Sequence, residues 1–271
     1  MFIRILGTAA AEGWPAVFCG CQTCRRARAA GGKDLRSRAS VQIDDVFKID
    51  LPPDSYSQAA RFGLDLSVLK HLFFTHSHAD HFALRELAYL APPFAHDLAN
   101  APVKIYGNET VIGAIENTYS AVDMPIELHR IEPFVPVQAD YLTFTPVRAQ
   151  HKPDEVALNY VVQSDSATVL YASDTGLYDQ ATMEELARFR FDLLIIECTQ
   201  GTLDMPSTQH MGFSGVLELR RGLIGSGAAR PDTRTVITHF SHNIGMLHAE
   251  MEAVAAKEGI EVAYDGWSAE L

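Results

Sequence analysis

Apolar runs rich in Val, Ile and Phe recur along the chain with turn-forming residues between them. They predict strands at 2–7, 40–43, 46–50, 71–75, 103–106, 141–147, 158–163, 168–172, 192–196 and 234–238, with a last short one at 260–264. Apolar residues spaced three and four apart predict helices over 82–91, 108–119, 179–188, 213–223 and 246–258, with Asp179 and Ser214 as N-caps and Gly259 as the stop of the last. The Asp44-Asp45 turn predicts an early antiparallel hairpin, whereas later strands alternate with helices. That mixture predicts an α/β or α+β sandwich rather than an all-β protein. No linker, repeat or low-complexity segment divides the chain, so 1–271 is read as one domain. The Pro-containing stretches 91–102 and 131–136 read as loops within it, and 201–212 as a loop able to cover a site.

The densest chemistry follows the run HLFF: Thr75-His76-Ser77-His78-Ala79-Asp80-His81. A strand ending here releases imidazoles and a carboxylate, the ligands that borderline divalent metals prefer, into one loop at a sheet edge. Three more metal-competent side chains lie just past predicted strands: His151 after 141–147, Asp174 after VLYAS and His239 after TVIT. Each alone is ordinary; their common placement is not.

Composition changes this picture little. Apolar residues are 47% and charged residues 21% of the chain, as in soluble globular proteins. No run reaches the length of a membrane span. The first apolar run carries Arg4 and reads as a strand rather than a signal peptide, which predicts a cytoplasmic protein without membrane partners. A net charge of −12 argues against nucleic acid, whose binding depends on cationic contacts to phosphate. One segment runs against that average: Arg25, Arg26, Arg28, Lys33, Arg36 and Arg38 surround a single acid, Asp34, as a solvated helix and loop or as a phosphate-facing patch. Three of the four cysteines crowd into Cys19-x-Cys21-x-x-Cys24, a spacing that in a reducing compartment favours metal or redox chemistry; Cys198, after DLLIIE, reads as core.

H-x-H-x-D-H, a lone later His, the Asp of S-D-T-G and a final T-H resemble the ordered motifs of the metallo-β-lactamase superfamily, from the first strand to His239. The resemblance implies a four-layer αββα sandwich, in which His76, His78 and His151 hold one divalent ion. Asp80, His81 and His239 would hold the second, and Asp174 would bridge both. Zn²⁺, Mn²⁺ and Fe all suit such ligands. It also implies hydrolysis by a hydroxide generated between the ions, with Asp80 orienting it. Fold alone does not choose among the lactamases, thioesterases, lactonases, phosphodiesterases, nucleases and redox proteins of the superfamily.

Two features narrow the choice. Cys19, Cys21 and Cys24 with His242 of THFSHN make a Cys3His set suited to a third, structural Zn²⁺; free thiols beside a polar His242 are the alternative. The cysteine-bearing loop after the first strand is similar to loops in the cyclic phosphodiesterases of phosphonate breakdown and the B-proteins of pyrroloquinoline-quinone biosynthesis. The complete ligand motif favours the hydrolytic group, hence a phosphodiesterase on a small cyclic or nucleotide-like phosphate. Ester, lactone or thioester hydrolysis and a non-hydrolytic role in cofactor biosynthesis are the alternatives, and a homodimer is compatible with each. In that resemblance His210 would protonate the leaving alkoxide, a loop His facing solvent being the other reading. Arg36 and Arg38 are candidates for phosphate contacts. Bland readings go to His71 (core or strand edge), His96 and His129 (loop or edge) and His248 (a solvated helix position).

Overall fold

A computed structural model describes residues 1–271. Its strands form two seven-stranded mixed sheets. The first holds, in spatial order, β14 (Ser268–Glu270), β1 (Phe2–Gly7), β2 (Ser40–Ile43), β3 (Phe47–Ile49), β4 (His71–Phe73), β5 (Val103–Gly107) and β6 (Ile126–Arg130). The second holds β13 (Glu261–Val262), β12 (Arg234–Thr238), β11 (Leu193–Glu197), β10 (Thr168–Ala172), β9 (Leu158–Gln163), β8 (Leu142–Arg148) and β7 (Val137–Ala139). The helices are α1 (Gln22–Ala30), α2 (Ser55–Phe62), α3 (Glu109–Tyr119), α4 (Gln180–Leu186), α5 (Phe213–Gly225) and α6 (His248–Ala255).

Alternation along the strands builds the layers. Phe73 of β4 points between the sheets, where Phe144, Tyr160, Ile195 and Ile5 meet it, while its neighbours Leu72 and Phe74 point outward onto Ile112 and Ile115 of α3. In the second sheet Leu193 and Ile195 face inward, whereas Leu194 and Ile196 lie under Leu219 and Leu223 of α5 and Met251 of α6. Strands covered on both faces read as unbroken apolar runs, which is why LLIIE is apolar throughout until its final Glu. Helix, sheet, sheet and helix therefore stack in four layers around two outer cores and one inner core.

Expected and observed elements differ where strands are short or at an edge. β6 and β7, half-exposed at the sheet edges, and the three-residue β14 have no apolar pattern to announce them. Helix α2 (SYSQAARF) was not expected, and 82–91 is a run of 3₁₀ turns at Leu84–Leu90 rather than an α-helix. Gly212, not Ser214, precedes α5, whereas Asp179 caps α4 by accepting from Thr182 N and Gly259 closes the last helical turn at φ 66°. His248 corrects another expectation: it is 5% exposed, its Nδ1 2.9 Å from Arg36 Nη2.

No helix is long and apolar enough to cross a membrane. The basic segment is a paired surface: Arg26 meets Glu250 and Lys33 meets Glu252 of α6, while Arg28 donates to the carbonyls of Cys19 and Ala16.

Candidate metal centre

Strands β3, β4, β8, β10 and β12 all run towards one edge of the sandwich, and the chain emerging from each carries a polar side chain back over that edge. Asp50, Asp174 and His239, which follow β3, β10 and β12, adopt left-handed backbone conformations with φ of 63°, 51° and 58°. Asp and His tolerate this region better than most residues, but three such positions at one edge show that the strands are turned sharply there. Gly176 allows one further approach: a Cβ there would lie 2.4 Å from the Thr208 carbonyl, so only glycine lets the 201–212 loop pack against the Asp174 turn and bring His210 in.

Two groups of ligand atoms result. His76 Nε2 and His151 Nε2 each lie 3.0 Å from His78 Nδ1. Ligands of a tetrahedral ion at about 2.0–2.1 Å are roughly 3.3 Å apart, so these three nitrogens are close to that spacing. The second group is Asp80, His81 and His239. Asp174 lies between them, with Oδ1 3.6 Å from His151 Nε2 and Oδ2 2.8 and 3.0 Å from the Nε2 atoms of His81 and His239. Neither His81 Nε2 nor His239 Nε2 has a properly aligned hydrogen bond despite these short contacts and their burial. Nitrogens crowded against a carboxylate without a hydrogen bond are what ligands of a shared cation look like, and the residues fit a pair of divalent metals.

The electrostatics agree. Burial, reinforced by neighbouring histidine charge, holds His76 and His78 below the usual imidazole range, and burial does the same to His239. They are thus neutral, with lone pairs available. His81 is the reverse: burial opposes its charge, but Asp174, Asp50 and Asp80 raise its pKa well above normal. Those three carboxylates are the excess negative charge that a dication would answer.

A further shell fixes these rings. Asp50, fully buried, lies 2.6 Å from His81 Nδ1 and accepts from Thr75 N at 2.8 Å. Thr199 Oγ1 is 2.8 Å from His239 Nδ1, and His151 Nδ1 donates to the Gln209 carbonyl at 3.1 Å. His210 is partly exposed between the rings of His151 and His239, at centroid distances of 4.7 and 5.8 Å. Its Nδ1 donates to Glu197 Oε1 at 2.8 Å. Burial works against the charged ring, but the Glu197 bond and charge, with Asp174 and Asp80 beyond, push its pKa up to about 9. Asp50 and Glu197 were missed from the sequence; the only signal was a charge closing or interrupting an apolar run, as in FKID and LLIIE.

The expectation for Arg36 is corrected. Arg36 is buried, donating to Thr8 Oγ1 and the Ala263 carbonyl at 2.8 and 2.7 Å, and it sits 4.7 Å from the Phe240 ring. It ties β1 to the C-terminal segment and offers nothing to a phosphate. Arg38 is held by Asp54 and the Ala11 carbonyl, at 3.1 and 2.7 Å. A polar cleft of about 260 Å³ opens instead beside His151, with Arg148, Gln150, Lys152, Thr208 and Gln209 in its wall.

Cys19, Cys21, Cys24 and His242 also converge, with His242 Nδ1 3.5 Å from Cys21 Sγ and 3.9 Å from Cys19 Sγ. Sulfur and nitrogen ligands of a tetrahedral zinc are roughly 3.6 Å apart, so this set too fits an ion. The Cys24 N–H at the start of α1, then His242, lower the Cys21 thiol to about 6, favouring the thiolate a metal needs. Cys198 is buried in the outer core and His71 stacks on Phe47 in the inner one.

Residues 48–240, well over half of the chain, match the beta-lactamase superfamily domain. The coenzyme PQQ synthesis protein B of Pseudomonas aeruginosa is 25% identical over a 326-residue alignment that covers both chains completely. Ribonuclease Z of Mycobacterium bovis BCG is 23% identical over 173 residues, and the chain spans only 60% of that relative. Among solved structures, a diphosphatase from the PhnP family superposes with a TM-score of 0.77 at 26% identity, covering 100% of this chain and 97% of that one. The Zn²⁺-bound PqqB of Methylobacterium extorquens superposes at 0.75 over the whole of both chains, with 16% identity. With the family's pattern running through 48–240 and its fold matched from end to end, the chain belongs to the metallo-β-lactamase superfamily.

Proposed function

We propose that the protein is a dinuclear metal-dependent hydrolase acting on a small phosphodiester, cyclic or nucleotide-like. The observation that carries this is Asp174, whose two oxygens face separate ligand groups, His76, His78 and His151 on one side and Asp80, His81 and His239 on the other. When bound, two adjacent divalent cations supply a water acidic enough to attack near neutral pH and withdraw charge from the phosphoryl oxygen. The chain's own residues do the rest. Asp80, grouped with His81 and His239, would orient the attacking water. His210, its Nδ1 anchored on Glu197, carries at Nε2 the proton that an alkoxide leaving group needs. The cleft of about 260 Å³ beside His151 suits a small molecule, and the net charge of −12 disfavours a polynucleotide.

Metal analysis of the purified protein, followed by assays on bis-p-nitrophenyl phosphate, 2′,3′-cyclic nucleotides, lactones and thioesters, tests the proposal. Two ions per chain at the centre and turnover of the phosphodiesters are expected. Turnover confined to lactones or thioesters would replace this reading with carbonyl hydrolysis. A second reading, a non-hydrolytic step in cofactor biosynthesis, is favoured by the end-to-end similarity to coenzyme PQQ synthesis protein B. Iron at the centre together with oxygen consumption would establish it instead.

A further inference from the structure

Glu155 lies outside every group of ligand atoms described above, yet its side chain is completely buried at the rim of the metal centre. A buried carboxylate is tolerated only when its oxygens are answered. Here both are. Oε1 accepts from Ser77 N at 3.0 Å and from Asn108 Nδ2 at 2.7 Å. Oε2 accepts from the Ser77 hydroxyl and pairs with Lys152 Nζ at 3.3 Å.

The partners' positions give this carboxylate a role. Ser77 sits between His76 and His78, and Lys152 directly follows His151, so Glu155 joins the two loops that carry the His76, His78 and His151 nitrogens. Asn108 is the third anchor: it caps α3 by accepting from Val111 N at 2.9 Å and also donates to the Val156 carbonyl at 2.9 Å. One side chain therefore fastens the H-x-H loop, the His151 loop and the start of a helix together. Nothing comparable links Glu155 to Asp80, His81 or His239; Asp50 braces His81 and Thr199 braces His239.

We infer that Glu155 is a positioning residue for one of the two ions only, holding His78 and His151 at the separation at which their nitrogens share a cation. This rests on the proposal that His76, His78 and His151 form one metal site, but not on the identity of the substrate. Outer-shell partners of metal ligands typically alter metal affinity by about 10–100-fold when removed. Glu155→Ala strands the Ser77 N–H and leaves Asn108 and Lys152 only their bonds to the Val156 carbonyl and Asp154, and is expected to weaken the first ion by that factor. The second ion should stay within about twofold. Because Glu155 acts on His78 through Ser77, the double variant S77A/E155A should lose little more than E155A alone.

The test is titration of the metal-free protein with Co²⁺, followed by visible absorption and by competition with a chelator of known affinity. H151A and H239A assign the two dissociation constants to their sites. Selective weakening of the His151-dependent site in E155A, non-additive with S77A, is the expected result. Equal weakening of both sites, or additivity with S77A, would reduce Glu155 to a general structural role and overturn the inference. So would unchanged Co²⁺ binding in E155A. A wild-type protein that binds no Co²⁺ at the histidine sites would instead remove the metal reading itself, a separate failure. Should E155A not fold, Glu155→Gln keeps the volume and replaces an acceptor by a donor facing Lys152; the same selective loss, smaller in size, is expected of it.

Discussion

Glu197→Gln is the most informative single substitution, because the carboxylate is fully buried and its acceptors are fully used. Oε1 receives Thr175 N at 2.8 Å and His210 Nδ1 at 2.8 Å; Oε2 receives Thr199 N at 3.1 Å and Met211 N at 3.0 Å. A glutamine of the same shape has one oxygen, so its NH₂ must face two donors. The least damaging orientation places that NH₂ where Oε1 was. Thr175 N then loses its acceptor, and His210 must surrender its Nδ1 proton or its partner. Hydrogen bonds to charged groups contribute about 1.5–3 kcal/mol each, so losing two costs about 3–6 kcal/mol. That is a large part of a typical folding stability of about 5–15 kcal/mol. Urea unfolding with metals chelated, followed by Trp14 and Trp267 fluorescence, measures it. Kinetics supply a second readout. With an alkyl leaving group, which needs a proton, turnover should fall about 10²–10⁴-fold; with p-nitrophenolate, which does not, the loss should be roughly tenfold or less. A stability change below about 1 kcal/mol with an unaltered alkyl-to-aryl ratio would refute the reasoning.

Other perturbations separate the remaining parts. Asp174→Ala should abolish hydrolysis and uncouple binding of the two ions while leaving far-UV circular dichroism close to wild type; normal turnover would end the bridging assignment. Cys21→Ser should lower the melting temperature and the zinc content by one ion per chain with the catalytic pair retained, and an unchanged zinc count would dispose of the Cys3His site. His248 gives a pH dependence. Burial, then Arg36 and Lys33, depresses it from 6.5 to about 4, so between these values the unfolded chain binds the proton and the folded chain does not. The neutral ring's contribution is therefore complete above about pH 6.5 and is lost as pH falls towards 4, amounting to at most about 3 kcal/mol. His248→Gln, which keeps an acceptor for Arg36, should flatten that limb of the stability profile, and parallel acid limbs in urea titrations would contradict it.

What could be read from the residues, and what could not, follows from geometry. Strands such as 158–163, 168–172 and 234–238 coincide with expectation because strands covered on both faces carry runs of consecutive apolar residues, YVV, VLYA and VI among them. Edge strands β6 and β7 escape because one side needs no apolar partner. The H-x-H-x-D-H ligands were visible because they are contiguous. Glu197, Asp50 and Glu155 were not, because an acid that orients a ligand has no fixed spacing from it. Arg36 shows the opposite failure. A dense run of basic residues suggested surface, but Thr8, the Ala263 carbonyl and His248, contributed by distant segments, give its guanidinium an interior home.

The candidate ligands come from both sheets: His76, His78, Asp80 and His81 from the first, His151, Asp174 and His239 from the second. Cations held there would staple the two halves of the sandwich at one edge, and the unfolded chain has no such grip. Free metal at 1,000 times its dissociation constant would then add about 4.1 kcal/mol per ion to the folded state. Metal supply would thus set how long the protein survives as well as how fast it turns over.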